Sequence, residues 1–290
     1  MLLIFSQQLI IMEKSTVAIL ILIFLIFLVY FVKPRITGFF IGFSQPTNAT
    51  WFNTSWHYRL KIVIFSPTDR VNWPIEIRLN FSDLIPSGTF DENSIRVIEY
   101  DSYGKIIQEV PSQFDKDENY DASTNAIGTL VFILNGTTSA NTNRTFYVYY
   151  DILENGAKAK PNYETNITYW FDSLNKTINV NTTSLAVYID TNRGLNISGI
   201  YKVVRKSDEA VIVNVGEDEK PVEYIELTNS THNFTFDLRY NFTIIPGPVR
   251  LTIVQSGNEV LEGDVNYFGE ASIVKKYYFY NLAGPSSRGS

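Results

Sequence analysis

Alternation of apolar and polar residues recurs along this chain from residue 57 onward, and it constrains the fold more than any other feature. Across residues 233–244 every even-numbered residue is apolar or aromatic, whereas every odd-numbered residue is Asn, Thr, Asp or Arg. Successive side chains of a β-strand point to opposite faces, so this segment predicts one strand with a buried face and a solvent face. Similar patterns predict strands at 57–65, 74–80, 94–100, 105–110, 128–134, 145–151, 178–180, 184–190, 195–205, 211–215, 222–228, 248–255 and 270–281.

Turn-forming Gly, Pro, Asn and Asp separate the predicted strands, and no amphipathic helix of convincing length interrupts them. The polar segment 154–163, which carries Gly and Pro, divides the strands into two groups. We therefore predict an all-β fold with two antiparallel, jelly-roll-like β-sandwich domains at residues 46–153 and 164–290. One N-terminal transmembrane helix is predicted to precede them.

The transmembrane prediction comes from residues 15–32, an apolar run without a charged residue. At 1.5 Å per residue a helix of this length spans about 27 Å, enough to cross a bilayer. Residues 1–45 are therefore predicted to be a membrane anchor. Lys33 and Arg35 after the run favour a cytoplasmic C-terminal part by the positive-inside rule, but a long following domain can be translocated despite that bias.

Acceptor triplets for N-linked glycans favour the opposite orientation. The chain has 25 Asn and 46 Ser plus Thr in 290 residues, so random placement gives about four Asn-x-Ser/Thr triplets. Twelve occur, all after residue 47 and none with Pro in the middle. The excess predicts a single-pass protein of the cell membrane whose C-terminal domains are extracellular and glycosylated. The predicted acceptors are Asn48, Asn53, Asn80, Asn135, Asn143, Asn166, Asn175, Asn181, Asn196, Asn229, Asn233 and Asn241.

Composition excludes several classes of function. A net charge of −6, with Lys and Arg scattered, leaves no basic face for nucleic acid. The absence of Cys excludes thiol nucleophiles, thiolate metal sites and iron–sulfur clusters. No Gly-x-Ser-x-Gly elbow, P-loop or His-Glu-x-x-His motif occurs, and His57 and His232 fall in different predicted domains. We therefore predict a protein that is not an enzyme and that needs no cofactor other than, at most, calcium.

One candidate ligand site is acidic. Asp115, Asp117 and Asp121 lie in a predicted loop between strands. Ca²⁺ prefers six to eight hard oxygen ligands, which carboxylates supply, so the cluster indicates a calcium site. The alternative is an acidic loop that is simply solvated.

The second candidate site is aromatic. Tyr147 and Tyr149 alternate with two apolar residues, so they are predicted to lie on the outer face of their strand. With Trp56 and Trp73 they indicate a platform on which sugar rings stack. The alternative is that these aromatic side chains seal the core or a sheet edge.

Two groups of motifs resemble known modules. Trp56-His-Tyr-Arg59 opens one predicted strand and Pro74-Ile-Glu-Ile77 lies in the next. In this order they resemble a β-sandwich module of exported prokaryotic and archaeal proteins with a W-x-Y-R opening motif. The segments 185–190, 194–199 and 247–250 are similar to the opening strands of a galactose-mutarotase-like supersandwich, as in polysaccharide lyases. That resemblance implies a partial supersandwich, and neither resemblance assigns a catalytic residue.

Together these features predict a membrane-anchored extracellular glycoprotein that acts without catalysis, in adhesion, surface-layer support or glycan contact. Its predicted partners are membrane lipid, through the N-terminal helix, and glycans or other envelope proteins. The supersandwich resemblance leaves open an accessory or remnant of a membrane-anchored, lyase-like polysaccharide-processing enzyme. A filament subunit is a third possibility, because pilin-like proteins also join an apolar N-terminal helix to a β head.

Overall fold

The computed structural model describes residues 40–44, 49–193, 197–216, 219–223, 227–228, 233–239, 241–261, 269 and 271–282. They form eighteen β-strands and two single-turn 3₁₀ helices, at Phe81–Asp83 and Leu153–Asn155. The first strands are β1 (Phe40–Ser44), β2 (Tyr58–Ser66), β3 (Arg70–Asn80), β4 (Phe90–Tyr100), β5 (Ile106–Val110), β6 (Ser112–Lys116), β7 (Ile127–Thr138) and β8 (Thr142–Ile152). The others are β9 (Thr168–Asp172), β10 (Thr177–Asn181), β11 (Leu185–Arg193), β12 (Ile197–Arg205), β13 (Ala210–Asn214), β14 (Leu227–Thr228), β15 (Asn233–Asp237), β16 (Phe242–Ile245), β17 (Arg250–Leu261) and β18 (Ser272–Tyr280).

Strands β1 to β8 form two sheets, with the orders β1-β2-β8-β4-β5 and β3-β7-β6. One buried apolar cluster takes side chains from both sheets, such as Ile62 and Val148 from the first and Ile77 and Phe132 from the second. Each apolar side chain of this size stabilises the fold by about 1.5–3 kcal/mol when it is fully buried. The apolar residues of the alternating pattern thus form one core that the two sheets share.

Strands β9 to β18 form two further sheets. One has the order β13-β12-β11-β10-β9, and in the other β17 pairs with β15, β16 and β18. Ile178 and Ile189 of the first sheet and Leu251 and Ile253 of the second share a buried cluster. Every described strand pair in the molecule is antiparallel, so the predicted all-β, antiparallel class is confirmed.

The segment 154–163 separates these two sets of strands. No sheet among the described residues combines strands from both sides of it. The division into domains at 46–153 and 164–290 stays a prediction, because the two sets also contact one another through side chains described below.

The structure corrects the predicted strand at 233–244, which is interrupted. Asp237 at the end of β15 lies opposite Asn258 of β17, and Phe242 at the start of β16 lies opposite Gln255. β18 pairs with the other edge of β17, so β15 and β16 both pair with the same edge. Between β15 and β16 the chain has two more residues than the facing part of β17. An even insertion preserves which side chains face inward, so Phe242 still packs against the buried cluster.

Three strands were not predicted, namely β1, β6 and β9. β1 pairs with β2 and lies inside residues 1–45, the predicted anchor. β9 is an edge strand in which Tyr169, Trp170 and Phe171 are 39–48% exposed.

The predicted membrane crossing at 15–32 lies outside the part of the chain that the structure describes. Within that part, no helix has both the length and the apolar character needed to cross a bilayer.

Candidate functional site

A cleft of about 480 Å³ lies between β6, the segment 160–163 and the paired strands β17 and β18. We call it the Arg250 cleft. Its principal side chains are those of Ser112, Asp115, Lys160, Arg250, Lys276 and Tyr278.

One wall of the Arg250 cleft is a face of the β17–β18 ladder. Thr252 lies opposite Tyr278, and residues opposite one another in an antiparallel ladder share a face. Arg250 is two residues from Thr252 and lines the same cleft. Leu251 and Ile253 point the other way, into the buried apolar cluster. The packing of Leu251 and Ile253 in the cluster therefore determines that Arg250 and Thr252 face the cleft.

Arg250 is held by partners from two separate sheets, and its side chain is only 5% exposed. Nε and Nη2 donate hydrogen bonds to Asp115 Oδ2 at 2.8 and 2.6 Å. Nη1 lies 2.8 Å from Glu76 Oε1, and the guanidinium lies 4.2 Å from the centroid of the Tyr278 ring. Burial lowers the pKa of Arg250, but its bonds with Tyr280, Asp115 and Glu76 raise that pKa above the ordinary value. The group is therefore a permanent cation.

Gln113 of β6 fixes the chain that leads into β17. Its Oε1 accepts hydrogen bonds from the amides of Val249 and Arg250 at 3.2 and 3.0 Å, and its Nε2 donates to Asp115 Oδ1 at 2.6 Å. A Cβ at Gly247 would lie 2.1 Å from Gln113 Oε1. Only glycine permits so close an approach, so the geometry of the cleft depends on this residue type.

Positive charge predominates on the lining, although the whole chain carries −6. The lining has four cations and two carboxylates, namely Lys116, Lys160, Arg250, Lys276, Glu92 and Asp115. Lys116 pairs with Glu92 at 3.1 Å. Within the part of the chain that the structure describes, the side-chain ammonium groups of Lys160 and Lys276 have neither an ion pair nor a hydrogen bond. The cleft thus presents two uncompensated positive charges.

The predicted glycan acceptors lie at the surface wherever their side chains are described. Asn53, Asn143, Asn166, Asn175 and Asn241 are exposed. Asn80, Asn135 and Asn181 are half-buried. By contrast Asn179, which lies between two acceptors and is not one itself, is 5% exposed. The side chains of Asn48, Asn196, Asn229 and Asn233 lie outside the described part.

The three carboxylates predicted to bind calcium do not form one oxygen cage. Asp115 bonds to Arg250, and Asp117 pairs with Arg78. Asp121 accepts hydrogen bonds from the hydroxyl and amide of Thr124 and from the amide of Ser123, which lower its pKa. No group of three metal-ligating side chains was found among the described residues. The three carboxylates therefore do not form a calcium coordination shell in this part of the molecule.

The predicted aromatic platform is wrong for two of its four members. Tyr147 and Tyr149 do lie on the outer face of β8, but they are 1% and 0% exposed. Residues of the segment 49–56 cover them, and the Trp51 ring meets Tyr149 edge-on at 5.4 Å. A sugar ring cannot reach a side chain without exposed surface.

The two tryptophans of the predicted platform lie apart in the fold and have local roles. Trp56 is half-buried in the cover over β8, and its Nε1 donates to Ser94 O at 2.6 Å. Trp73 is 38% exposed on β3, with the Arg70 guanidinium 4.1 Å from its ring centroid. The four aromatic residues therefore do not form a single binding surface.

His57 has a partner that its position in the sequence does not reveal. Its Nδ1 lies 2.9 Å from Asp151 Oδ2, which also lies 2.9 Å from Lys158 Nζ. Burial raises the pKa of Asp151, but hydrogen bonds from Asn155, His57 and Lys158 outweigh burial and lower it to about 2. This group connects the end of β8 to the residue before β2 and to the chain that follows β8.

Asp115, predicted as a calcium ligand, lies in the Arg250 cleft, but the other residues of its lining are not predicted as site residues. A signal was present, since Arg250, Thr252, Lys276 and Tyr278 occupy the polar positions of two alternating strands. Nothing in a single strand, however, shows that its polar face lines a cleft. No model of a known protein family matches this chain, and no curated protein matches its sequence. The two resemblances stay predictions, and the candidate site rests on geometry.

Proposed function

We propose that this protein is a single-pass membrane glycoprotein that presents two β-sandwich modules outside the cell and contacts glycans or envelope proteins without catalysis. The observation that carries the proposal is the placement of the acceptor asparagines. All eight with described side chains reach the surface, as attachment of a glycan requires. The excess of triplets over about four, the random expectation, supports an exported location.

The modular part of the proposal is supported by the two buried clusters. Each takes its side chains from two different antiparallel sheets, which is the packing expected of a β-sandwich. The absence of Cys from the sequence means that such modules rely on packing rather than on disulfides.

Glycan contact is assigned to the Arg250 cleft instead of the aromatic platform. The cleft has the volume of a small-molecule site, and it combines aromatic, hydrogen-bonding and charged side chains. Membrane attachment is assigned to residues 15–32 on their sequence alone.

The test combines topology with glycopeptide mapping. Protease added to intact cells is expected to digest the modules, and mass spectrometry is expected to find glycans on the exposed acceptors. Asn143→Gln removes an exposed acceptor, so the protein is expected to lose one glycan and to migrate faster in electrophoresis. Asn214→Gln, a change at an exposed asparagine outside any triplet, is the control and leaves mobility unchanged.

Two results would remove the proposal. The first is that protease digests the modules only after the cells are lysed. The other is a glycopeptide map in which every acceptor asparagine is bare.

A further inference from the structure

The Arg250 cleft has the size and composition of a ligand site that the fold itself does not fill. Its volume of about 480 Å³ falls within the range of about 300–1,000 Å³ that is usual for small-molecule pockets. A single inorganic anion would occupy a small part of it. A ligand that fills the cleft is therefore larger than phosphate or sulfate.

The charges of the lining indicate the sign of that ligand. Arg250 and Lys116 are already paired with Asp115 and Glu92. Lys160 and Lys276 have no such partner among the residues that the structure describes. Two unpaired ammonium groups beside a half-enclosed cavity attract an anion, and the low-dielectric walls strengthen the attraction.

The apolar part of the lining indicates a ring. Tyr278 is 42% exposed in the cleft, and the Arg250 guanidinium lies 4.2 Å from its ring centroid. An amphipathic ring with this much exposed surface offers stacking to the C–H face of a sugar and a hydroxyl to its polar edge. The buried side chains of Ser112 and Thr252 add hydroxyl groups to the lining.

We propose that the Arg250 cleft binds an acidic saccharide, with its carboxylate or sulfate at Lys160 and Lys276 and a sugar ring on Tyr278. This inference rests on the proposed contact with glycans and names the class of glycan. A nucleic acid fits less well, because its many phosphates would meet only four cations on a chain of net charge −6.

The experiment uses the full chain in detergent micelles and isothermal titration calorimetry. The probes are an oligogalacturonate, a sulfated oligosaccharide of similar length and neutral maltohexaose. At least one acidic probe is expected to bind at least tenfold more tightly than maltohexaose, and this preference weakens as salt is added. The carboxylated and sulfated arms show which acid group the cleft prefers.

Variants locate the binding site. Lys160→Glu/Lys276→Glu is expected to weaken the acidic probe at least tenfold and to leave neutral binding unchanged. Tyr278→Ala is expected to weaken both kinds of probe. The matched controls are Lys105→Glu and Val274→Ala, which change exposed residues outside the cleft lining and leave affinity unchanged.

The outcomes separate this inference from the proposed function. If neutral and acidic probes bind equally tightly, the acidic class is overturned while glycan contact stands. The same follows if the double lysine variant binds the acidic probe with unchanged affinity. No binding of any saccharide overturns both the inference and glycan contact. Neither result touches the extracellular location, which the protease and glycopeptide experiments test separately. A single-stranded oligonucleotide is titrated as a fourth probe, and tighter binding of it than of every saccharide also overturns the inference.

Discussion

The buried carboxylate of Asp151 stabilises the fold through hydrogen bonds that favour its charged form. Hydrogen bonds outweigh burial and hold its pKa at about 2, below the ordinary value of 3.8. Because the folded pKa is the lower one, the contribution is present above about pH 4 and is lost as the pH falls toward 2. The difference is worth about 1–2 kcal/mol, once screening by solvent around the half-exposed His57 is allowed for.

We expect Asp151→Asn to lower the free energy of unfolding by about 1–2 kcal/mol at pH 7 and by little at pH 2. Asn keeps the shape of the side chain but offers no charge to His57 and Lys158. Urea denaturation of both proteins between pH 7 and pH 2 measures the difference. Asp208→Asn, in an exposed pair with Arg205, is the control and leaves stability unchanged. A difference that stays constant across this pH range would contradict the linkage.

Tyr147 and Tyr149 show where prediction from single residues ends. Alternation with Phe146 and Val148 placed them on the outer face of β8, and the structure agrees. Alternation does not show whether an outer face meets water. The cover comes from residues 49–56, and Phe52, for example, donates its amide to the Tyr149 hydroxyl across 97 positions of sequence. No local pattern reveals so distant a contact.

At the level of elements, an unbroken pattern concealed a broken strand. Two residues inserted between β15 and β16 leave the period of two intact, so the sequence of 233–244 is the same as that of a continuous strand. The sign of this interruption in the sequence lies on the partner strand, β17. Gly257 of β17 lies opposite the insertion, and glycine inside a strand often marks a close approach of backbone.

We expect Gly257→Ala to destabilise the fold by about 1–3 kcal/mol. A Cβ at this position would lie 1.9 Å from the carbonyl oxygen of Asp237, so the β15–β16 connection has to move. Thermal or urea unfolding measures the loss. Gly216→Ala is the matched control, because its Cβ would meet Glu219 at an ordinary 3.4 Å. Equal stability of the two variants would show that the connection adapts without cost.

β6 was missed for a different reason. Its charged residues favour an acidic loop in the sequence, although an edge strand also carries charges when one side faces solvent. Asp115 lies inside this strand, opposite Thr129 of β7. Charge density alone therefore does not distinguish a loop from an edge strand.

On the scale of the whole molecule, Arg250 joins strands that are far apart in sequence. Its partner Asp115 is 135 residues away, and Glu76 belongs to β3. The fold class follows from local periodicity, which acts within a strand. The cleft does not, because it depends on which strands meet. This is why the class was predictable and the candidate site was not.

We expect Arg250→Met to lower the free energy of unfolding by about 3 kcal/mol, since it leaves Asp115 and Glu76 without their cation. The two sets of strands are also expected to unfold in less coincident transitions, which calorimetry and tyrosine fluorescence can compare. Arg205→Met removes an exposed cation paired with Asp208 and serves as the control, with no change expected. A stability of Arg250→Met equal to that of the control would show that the ion pairs do not join the two sets.

If the protein is glycosylated at the cell surface, as proposed, the edge strand β9 has a consequence for copies of this chain that lie close together. Its aromatic side chains are partly exposed, Asn166 precedes the strand and Asn175 follows it, and both asparagines are exposed. Once sugars are attached at these two positions, they stand as hydrated bulk at either end of the strand. A neighbouring copy then cannot lay its own strand alongside, so identical molecules can stay crowded together without polymerising into ribbons.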